Sequence, residues 1–292
     1  MTASIDLAPP HRTPFAGREA ERAELRRALE RCAGRQGGFV LLLAEAGMGK
    51  TRLCDGLAGA AQSAGMLHLA GQCLEGDAGI PYLPIAEIVE AAARTLSPDD
   101  LLAATAAARP QLAIIAPQLR TLLPDDAAAD GGAAARPPEH ERPALFAAIR
   151  DFLDRLSRRS PLLLIVEDVH WADASTLLLL RHLVRFVAQR RILIVATCRT
   201  SDDATADAVA SGVDALVSDL QREASGSVLE LTDLTLDDAT AMVHSITGRE
   251  PPPSIAAALF RRTGGNPLFI EQVVKHLAEE DRLFDDRGRW RE

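Results

Sequence analysis

The chain has 292 residues, 47% of them hydrophobic and 25% charged, with a formal net charge of −9 at pH 7. That length carries one large domain or two with a buried core, and the acid excess would repel a phosphate backbone, which argues against direct nucleic-acid contact by this segment. No apolar run reaches a bilayer span, the N-terminal MTASIDLAPPHRTP lacks the pattern of a signal peptide, and Cys32, Cys54, Cys73 and Cys198 lie far apart without metal-ligand spacing, so a cytoplasmic protein with reduced thiols and no membrane partner is expected.

Residues 1–14, with Pro9, Pro10 and Pro14, read as a disordered tail, and order is expected from Phe15. From Glu19 apolar and small residues recur at helical spacing among charged ones, an amphipathic helix that Gly37 and Gly38 end. Short apolar runs at 39–44, 66–71, 162–167, 191–198 and 228–231 predict five strands; without polar alternation they imply burial on both faces, as in a parallel sheet. Helical patterns lie between them, TRLCDGLAGAAQSAG after the first strand and STLLLLRHLVRFVAQ after the third, the latter with Asp173 or Ser175 as its N-cap. The fold expected is α/β, a three-layer αβα arrangement on a parallel five-stranded sheet, followed by an all-helical subdomain.

Between the second and third strands runs a long excursion, residues 72–160, mostly helical in pattern, with a flexible loop at about 124–143; it reads equally as a lid, a partner surface or a spacer. After the last strand only helices follow, opened by a Thr-x-x-Asp capping pattern at Thr235. The expected division is therefore a nucleotide-binding domain over 15–232 and a helical subdomain over 233–292. The chain stops soon after Trp290 without a closing element, as a fragment of something longer would.

Two segments carry chemistry. AEAGMGKT, Ala44 to Thr51, follows an apolar strand and opens a helix, the order of a phosphate-binding P-loop. Gly47 and Gly49 let backbone N–H groups turn toward phosphates; Lys50 would contact the β- and γ-phosphates, and Thr51 would place its hydroxyl on Mg²⁺. The candidate nucleotide contacts are Glu45, Ala46, Gly47, Met48, Gly49, Lys50, Thr51 and Arg52. Ala44 stands where the P-loop pattern has its first glycine. Downstream, LLLIVEDVHWAD puts Glu167 and Asp168 at the tip of an apolar strand, where one would face the Thr51-bound metal and the other the attacking water; both are candidate metal ligands and catalytic residues. Arg199, ending the fourth strand, would lie beside the γ-phosphate, because ligands bind at the carboxyl ends of parallel strands. His170 and Trp171 read as a packed turn in preference to a proton shuttle and a stacking platform. No Ser-His-Asp or HExxH arrangement is legible.

FAGREAERAEL (15–25), AEAGMGKTRL (44–53), LLLIVEDVHWADASTLLLL (162–180), ILIVATCR (192–199) and RTGGNPLFIEQVV (262–274) resemble successive motifs of the STAND class of signal-transduction ATPases. Within that class the likeness is to the AAA-type ATPase module of large LuxR-type transcriptional regulators and of adenylate cyclase-linked regulators. The resemblance implies an ATP- or ADP-operated switch with Mg²⁺ and slow hydrolysis, nucleotide-dependent homo-oligomerisation, and attached sensor and output domains beyond this chain. It also implies that Gly17 and Arg18 lie near the adenine or ribose, that Pro267 packs on the nucleotide, that Arg199 senses the γ-phosphate and that RLFDDRGRW opens a winged helix. The Glu-Asp order of the acidic pair departs from the more usual Asp-Asp or Asp-Glu. Two other readings remain at this point: a stand-alone ATPase or kinase whose substrate is held by the excursion, and a degenerate scaffold without nucleotide, for which Ala44 and the inverted acidic pair are the motive.

Overall fold

The computed structural model describes residues 17–76, 80–122, 142–200, 207–285 and 288–291. The expected tail over 1–14 lies outside them, as does the expected loop over 124–143 apart from Arg142 and Pro143, which begin a helix.

The chain divides into two compact units. The larger comprises Glu24–Leu43 and Thr51–Glu230; the smaller comprises Met1–Ala23, Ala44–Lys50 and Leu231–Glu292.

The larger unit is built on five strands, β1 (Gly38–Ala44), β2 (Leu67–Gln72), β3 (Leu162–Glu167), β4 (Ile192–Arg199) and β5 (Gly226–Glu230). They form a parallel sheet in the order β2-β3-β4-β1-β5. The central strands are buried on both faces, which is why their sequences are continuous apolar runs. One parity of side chains, including Phe39, Leu41, Leu164, Val166, Ile192 and Ile194, shares a core with helices from the 72–160 excursion and with those after β3 and β4. The other parity, Val40, Leu42, Leu163, Ile165, Leu193 and Val195, is equally buried. Outside that first core the helices α1 (Glu19–Ala33) and α2 (Lys50–Ser63) contribute further buried stripes, Leu25, Leu29 and Cys32 from the one and Leu53, Leu57 and Ala61 from the other. Three layers result.

The excursion packs its described helices on the sheet. Its helices α3 (Leu83–Thr95), α4 (Pro98–Thr105), α5 (Arg109–Ile115), α6 (Leu119–Leu122) and α7 (Arg142–Arg159) bury Ile85, Ile88, Leu101, Leu112, Leu119 and Phe152 in the sheet's own core. Apolar positions at helical spacing are what that packing requires. The start of α3 is fixed from a distance: Tyr82 takes the left-handed conformation (φ 63°) and its N–H donates to Asp173 Oδ2 and Thr176 Oγ1, both at 3.1 Å. The other Asp173 oxygen caps α8 (Ala174–Phe186), accepting from the N–H groups of Ser175 and Thr176, so Asp173 and not Ser175 is the cap. That helix stops three residues short of the expected span, where Arg190 Nη1 donates to the Phe186 carbonyl. β5 begins two residues earlier than its apolar run, because Gly226 and Ser227 pair with Phe39 and Val40 whatever their own strand propensity. Helix α9 (Asp207–Arg222) joins β4 to β5.

In the smaller unit three helices, α10 (Leu236–Thr247), α11 (Pro253–Thr263) and α12 (Pro267–Glu279), enclose Leu234, Met242, Val243, Ile246, Leu259, Ile270 and Val274. The capping box is complete: the Thr235 hydroxyl accepts from the Asp238 N–H, and the Asp238 carboxylate accepts from the Thr235 N–H. Past α12, Phe284 and Trp290 form an isolated antiparallel bridge with their rings 4.7 Å apart.

Two glycines make opposite predictions. A Cβ on Gly71 would lie 2.0 Å from the Pro84 carbonyl oxygen, which is backbone and has no room to yield, whereas one on Gly59, within α2, would meet nothing within 4 Å. Gly71→Ala should therefore lower the urea midpoint by the equivalent of about 1–3 kcal/mol or more, and Gly59→Ala should raise it by about 0.5–1 kcal/mol through helix propensity.

Candidate functional site: the phosphate loop and the acidic strand end

The loop 44–50 belongs to the smaller unit. Gly47 (φ 81°) and Gly49 (φ 86°) are both left-handed, the conformation that bends successive N–H groups to one side. Their reasons differ. A Cβ on Gly47 would stand 2.8 Å from both Asn266 Oδ1 and Leu268 Cβ, while one on Gly49 would meet nothing within 4 Å, so Gly49 answers to its dihedral alone. Lys50 is buried (8% exposed) with Nζ donating to the carbonyls of Ala44 (2.8 Å) and Glu45 (3.0 Å), which holds the ammonium inside the loop's curve. Ala44 ends β1 buried and without a positive φ, so a methyl group is accommodated there and the loop needs no glycine at its first position. Glu45 and Ala46 are exposed, and Met48 is buried.

Within the larger unit, Thr51 follows Lys50 directly in α2 and its Oγ1 donates to Glu167 Oε2 at 2.7 Å. Arg52, next along, is partly buried. Burial raises the Glu167 pKa above the ordinary carboxylate value; the Thr51 hydrogen bond opposes that rise, and Asp168 and Asp55 add to it. A hydroxyl and a carboxylate in contact, with more negative charge close by, are hard oxygen donors of the kind Mg²⁺ takes. Within the larger unit a threonine facing a carboxylate fits a magnesium ion; within the smaller, two left-handed glycines and an inward lysine fit phosphate oxygens.

Asp168 has left the strand. It is left-handed (φ 57°) at the head of the short turn Val169–Trp171, and its N–H donates to Thr197 Oγ1 at 2.9 Å. Its carboxylate accepts from Gln72 Nε2 at 3.3 Å, on the neighbouring strand β2. The change of backbone region after Glu167 is what lets two consecutive carboxylates take different partners. His170 Nδ1 accepts from the Arg199 N–H at 3.4 Å and stands 3.9 Å from Asp168 Oδ1, and its ring lies 5.0 Å from that of Trp171, which packs on the core. His170 and Trp171 thus sit in a packed turn. Arg199 itself is exposed at the carboxyl end of β4, the strand between β3 and β1.

Gly17 and Arg18 have structural contacts in the smaller unit. Arg18 is 7% exposed, left-handed, and its guanidinium donates to the Thr232 carbonyl and pairs with Glu21. A Cβ on Gly17 would strike the Asp238 carboxylate at 2.7 Å. Pro267 is the first residue of α12, half-buried, between the cap Asn266 and Leu268. Asn266 Nδ2 donates to the Ala46 carbonyl at 3.0 Å, and the Leu268 N–H donates to the Gly47 carbonyl at 3.2 Å.

Three residues of this neighbourhood are not site candidates on sequence alone: Gln72, Thr197 and Asn266. Thr197 had a signal, since it is the one polar residue in ILIVATC and is 1% exposed. Asn266 had another, an Asn before Pro at a helix start. Gln72 had none. Among the described residues no group of three or more His, Cys, Asp or Glu side chains could hold a metal, so a cation here would lean on Thr51 and on its nucleotide. No helix of the described residues is long and apolar enough to cross a membrane.

A parallel five-stranded α/β sheet and a two-glycine loop that ends in lysine define a P-loop ATPase module. Residues 14–195 match the AAA ATPase domain family, and the chain belongs to it. An uncharacterized protein of Rhizobium meliloti (strain 1021) is 26% identical over 278 residues, 91% of this chain but 25% of its own length; the chain spans about a quarter of that relative. Among solved structures, a Walker-type ATPase of Pyrococcus abyssi is 15% identical with a TM-score of 0.51, over 96% of this chain and 73% of that one, and it shares the fold. A STAND protein with a tetratricopeptide repeat sensor from Pyrococcus horikoshii is 16% identical with a TM-score of 0.49, over 94% of this chain and 34% of that one.

The raised Glu167 pKa fixes the sign of a pH effect. In the nucleotide-free protein the group favours folding while protonated; that contribution is complete below the ordinary carboxylate value and is lost as pH rises through the higher folded value. Glu167→Gln should thus unfold at higher urea than the wild type at pH 8, with the gap closing below about pH 4; a gap independent of pH would show that the carboxylate is not strained by burial.

Proposed function

We propose that this chain is the nucleotide-operated ATPase module of a larger STAND-class regulator, binding ATP or ADP with Mg²⁺ and hydrolysing ATP slowly. The observation that carries the reading is the Thr51–Glu167 hydrogen bond one residue beyond a lysine folded into a two-glycine loop. Lys50 would move from the Ala44 and Glu45 carbonyls to the β- and γ-phosphates, since a charged acceptor outcompetes neutral ones. Backbone N–H groups at Ala46 to Thr51, with the start of α2, would hold the phosphate oxygens. Mg²⁺, when bound with the nucleotide, would supply neutralisation of charge on the β- and γ-phosphate oxygens. Thr51 and Glu167 would hold it, directly or through water. Asp168, oriented by Gln72 and Thr197, would position the attacking water, and Arg199 would report on the γ-phosphate.

The domain division that goes with this function is a nucleotide-binding domain over 15–232 and a helical subdomain over 233–292 that begins a winged helix. Nucleotide identity would set the conformational state that attached sensor and output domains read, in the manner of a LuxR-type transcriptional regulator in the cytoplasm. The span of about a quarter of the Rhizobium relative leaves room for those domains.

The test is to denature the purified protein and identify what is released, with Lys50→Ala alongside. Near-stoichiometric ADP or ATP from the wild type, with affinity reduced about tenfold or more in the variant, is expected from loss of a charge-assisted contact of about 1.5 kcal/mol. A folded wild type that carries no nucleotide and binds no added Mg-ATP would overturn the proposal.

A further inference from the structure

The phosphate loop is braced by a residue 220 positions away in sequence. Asn266 uses both ends of its amide. Its Oδ1 accepts from the Leu268 N–H (3.0 Å) and the Phe269 N–H (3.5 Å), capping α12, while its Nδ2 donates to the Ala46 carbonyl (3.0 Å). The next contact runs parallel: the Leu268 N–H also donates to the Gly47 carbonyl at 3.2 Å. Two consecutive loop carbonyls are thus turned toward the first turn of α12, which leaves the N–H groups of the following peptide units free to face elsewhere. The approach is close enough to constrain composition, because a Cβ at Gly47 would collide with Asn266 Oδ1 and Leu268 Cβ. Asn266 is 8% exposed, so both amide ends are committed out of bulk water, where a lost partner is costly.

We infer that Asn266 is a positioning residue for the phosphate loop: its side-chain amide holds the Ala46–Gly47 carbonyls against α12 and thereby sets the loop's conformation and the rate at which bound nucleotide escapes. The second half of this statement rests on the ATP-binding reading above; the first does not. Asn is chemically suited to the task. A serine or aspartate caps a helix as well as asparagine does, but an ionised aspartate has no proton to donate and would set a negative charge against the Ala46 carbonyl, and a serine hydroxyl is one bond too short to serve both contacts.

That chemistry separates bracing from capping. Hydrogen exchange on the nucleotide-free full chain, comparing wild type, Asn266→Asp and Asn266→Ser, should show amides of 45–51 exchanging faster in both variants, by about fivefold or more, the effect of losing one neutral hydrogen bond in a local opening. Amides of 270–278 within α12 should keep wild-type protection. Unchanged loop exchange in a variant that retains α12 protection would overturn the inference. So would exchange rising equally through loop and helix in both, which would make Asn266 a cap and nothing more. Release of the fluorescent probe mant-ADP should be faster in Asn266→Asp by a similar factor. If the loop amides respond but the wild type holds no mant-ADP, the bracing stands and the nucleotide reading fails.

Discussion

Thr51 and Glu167 are 116 residues apart in sequence and 2.7 Å apart in the fold, and most of the architecture can be understood as what keeps them so. Glu167 is a half-buried carboxylate whose charged form is disfavoured by burial and by its acidic neighbours Asp168 and Asp55. The Thr51 hydroxyl offsets part of that cost. In the proposed function that negative charge, at the open end of a parallel sheet, is the counterpart of a cation carried in with phosphates. Its geometry depends on the strand order: β4 separates β3 from β1, so the helix that starts off the end of β1 faces the end of β3 across one intervening strand.

That strand order in turn depends on the two buried faces of the sheet. The long excursion before β3 supplies much of one face, with Ile85, Leu112 and Phe152 in the same core as Leu164 and Ile194. Asp173 links it to the site's own neighbourhood, capping α8 just beyond the acidic turn while receiving the Tyr82 N–H that starts α3. Packing of the excursion and placement of the turn that carries Asp168 are therefore one problem, solved by a single carboxylate with both oxygens occupied.

The strands, the loop and the acidic pair were legible because each has a local cause. Apolar runs bury on both faces, glycines relieve two left-handed dihedrals, and a lysine and threonine follow at fixed spacing. What stayed hidden was non-local. Neither the strand pairing that starts β5 at Gly226 nor the Gln72 amide on Asp168 leaves a trace in its own segment, since each is decided by a neighbour brought in by the sheet. Ala44 illustrates the converse: as a departure from a pattern it looked like a weakness, but the backbone there is ordinary and the residue is simply buried. Resemblance alone puts Gly17 and Arg18 near a nucleotide; the lack of room for a Cβ beside Asp238 at Gly17 and the Arg18 hydrogen bond to the Thr232 carbonyl give them an anchoring task in the smaller unit.

The most direct examination of the Thr51–Glu167 pair is a double-mutant cycle on the magnesium dependence of nucleotide affinity. ADP binding would be titrated with Mg²⁺ and with chelator in wild type, Thr51→Ala, Glu167→Gln and the double variant. A joint cation site predicts that Mg²⁺ tightens binding to the wild type by about tenfold or more, equivalent to about 1.4 kcal/mol, that each single variant loses most of this gain, and that the double variant loses little further. Undiminished magnesium dependence in both single variants, in proteins that still bind ADP, would contradict the account and reduce the hydrogen bond to a structural contact.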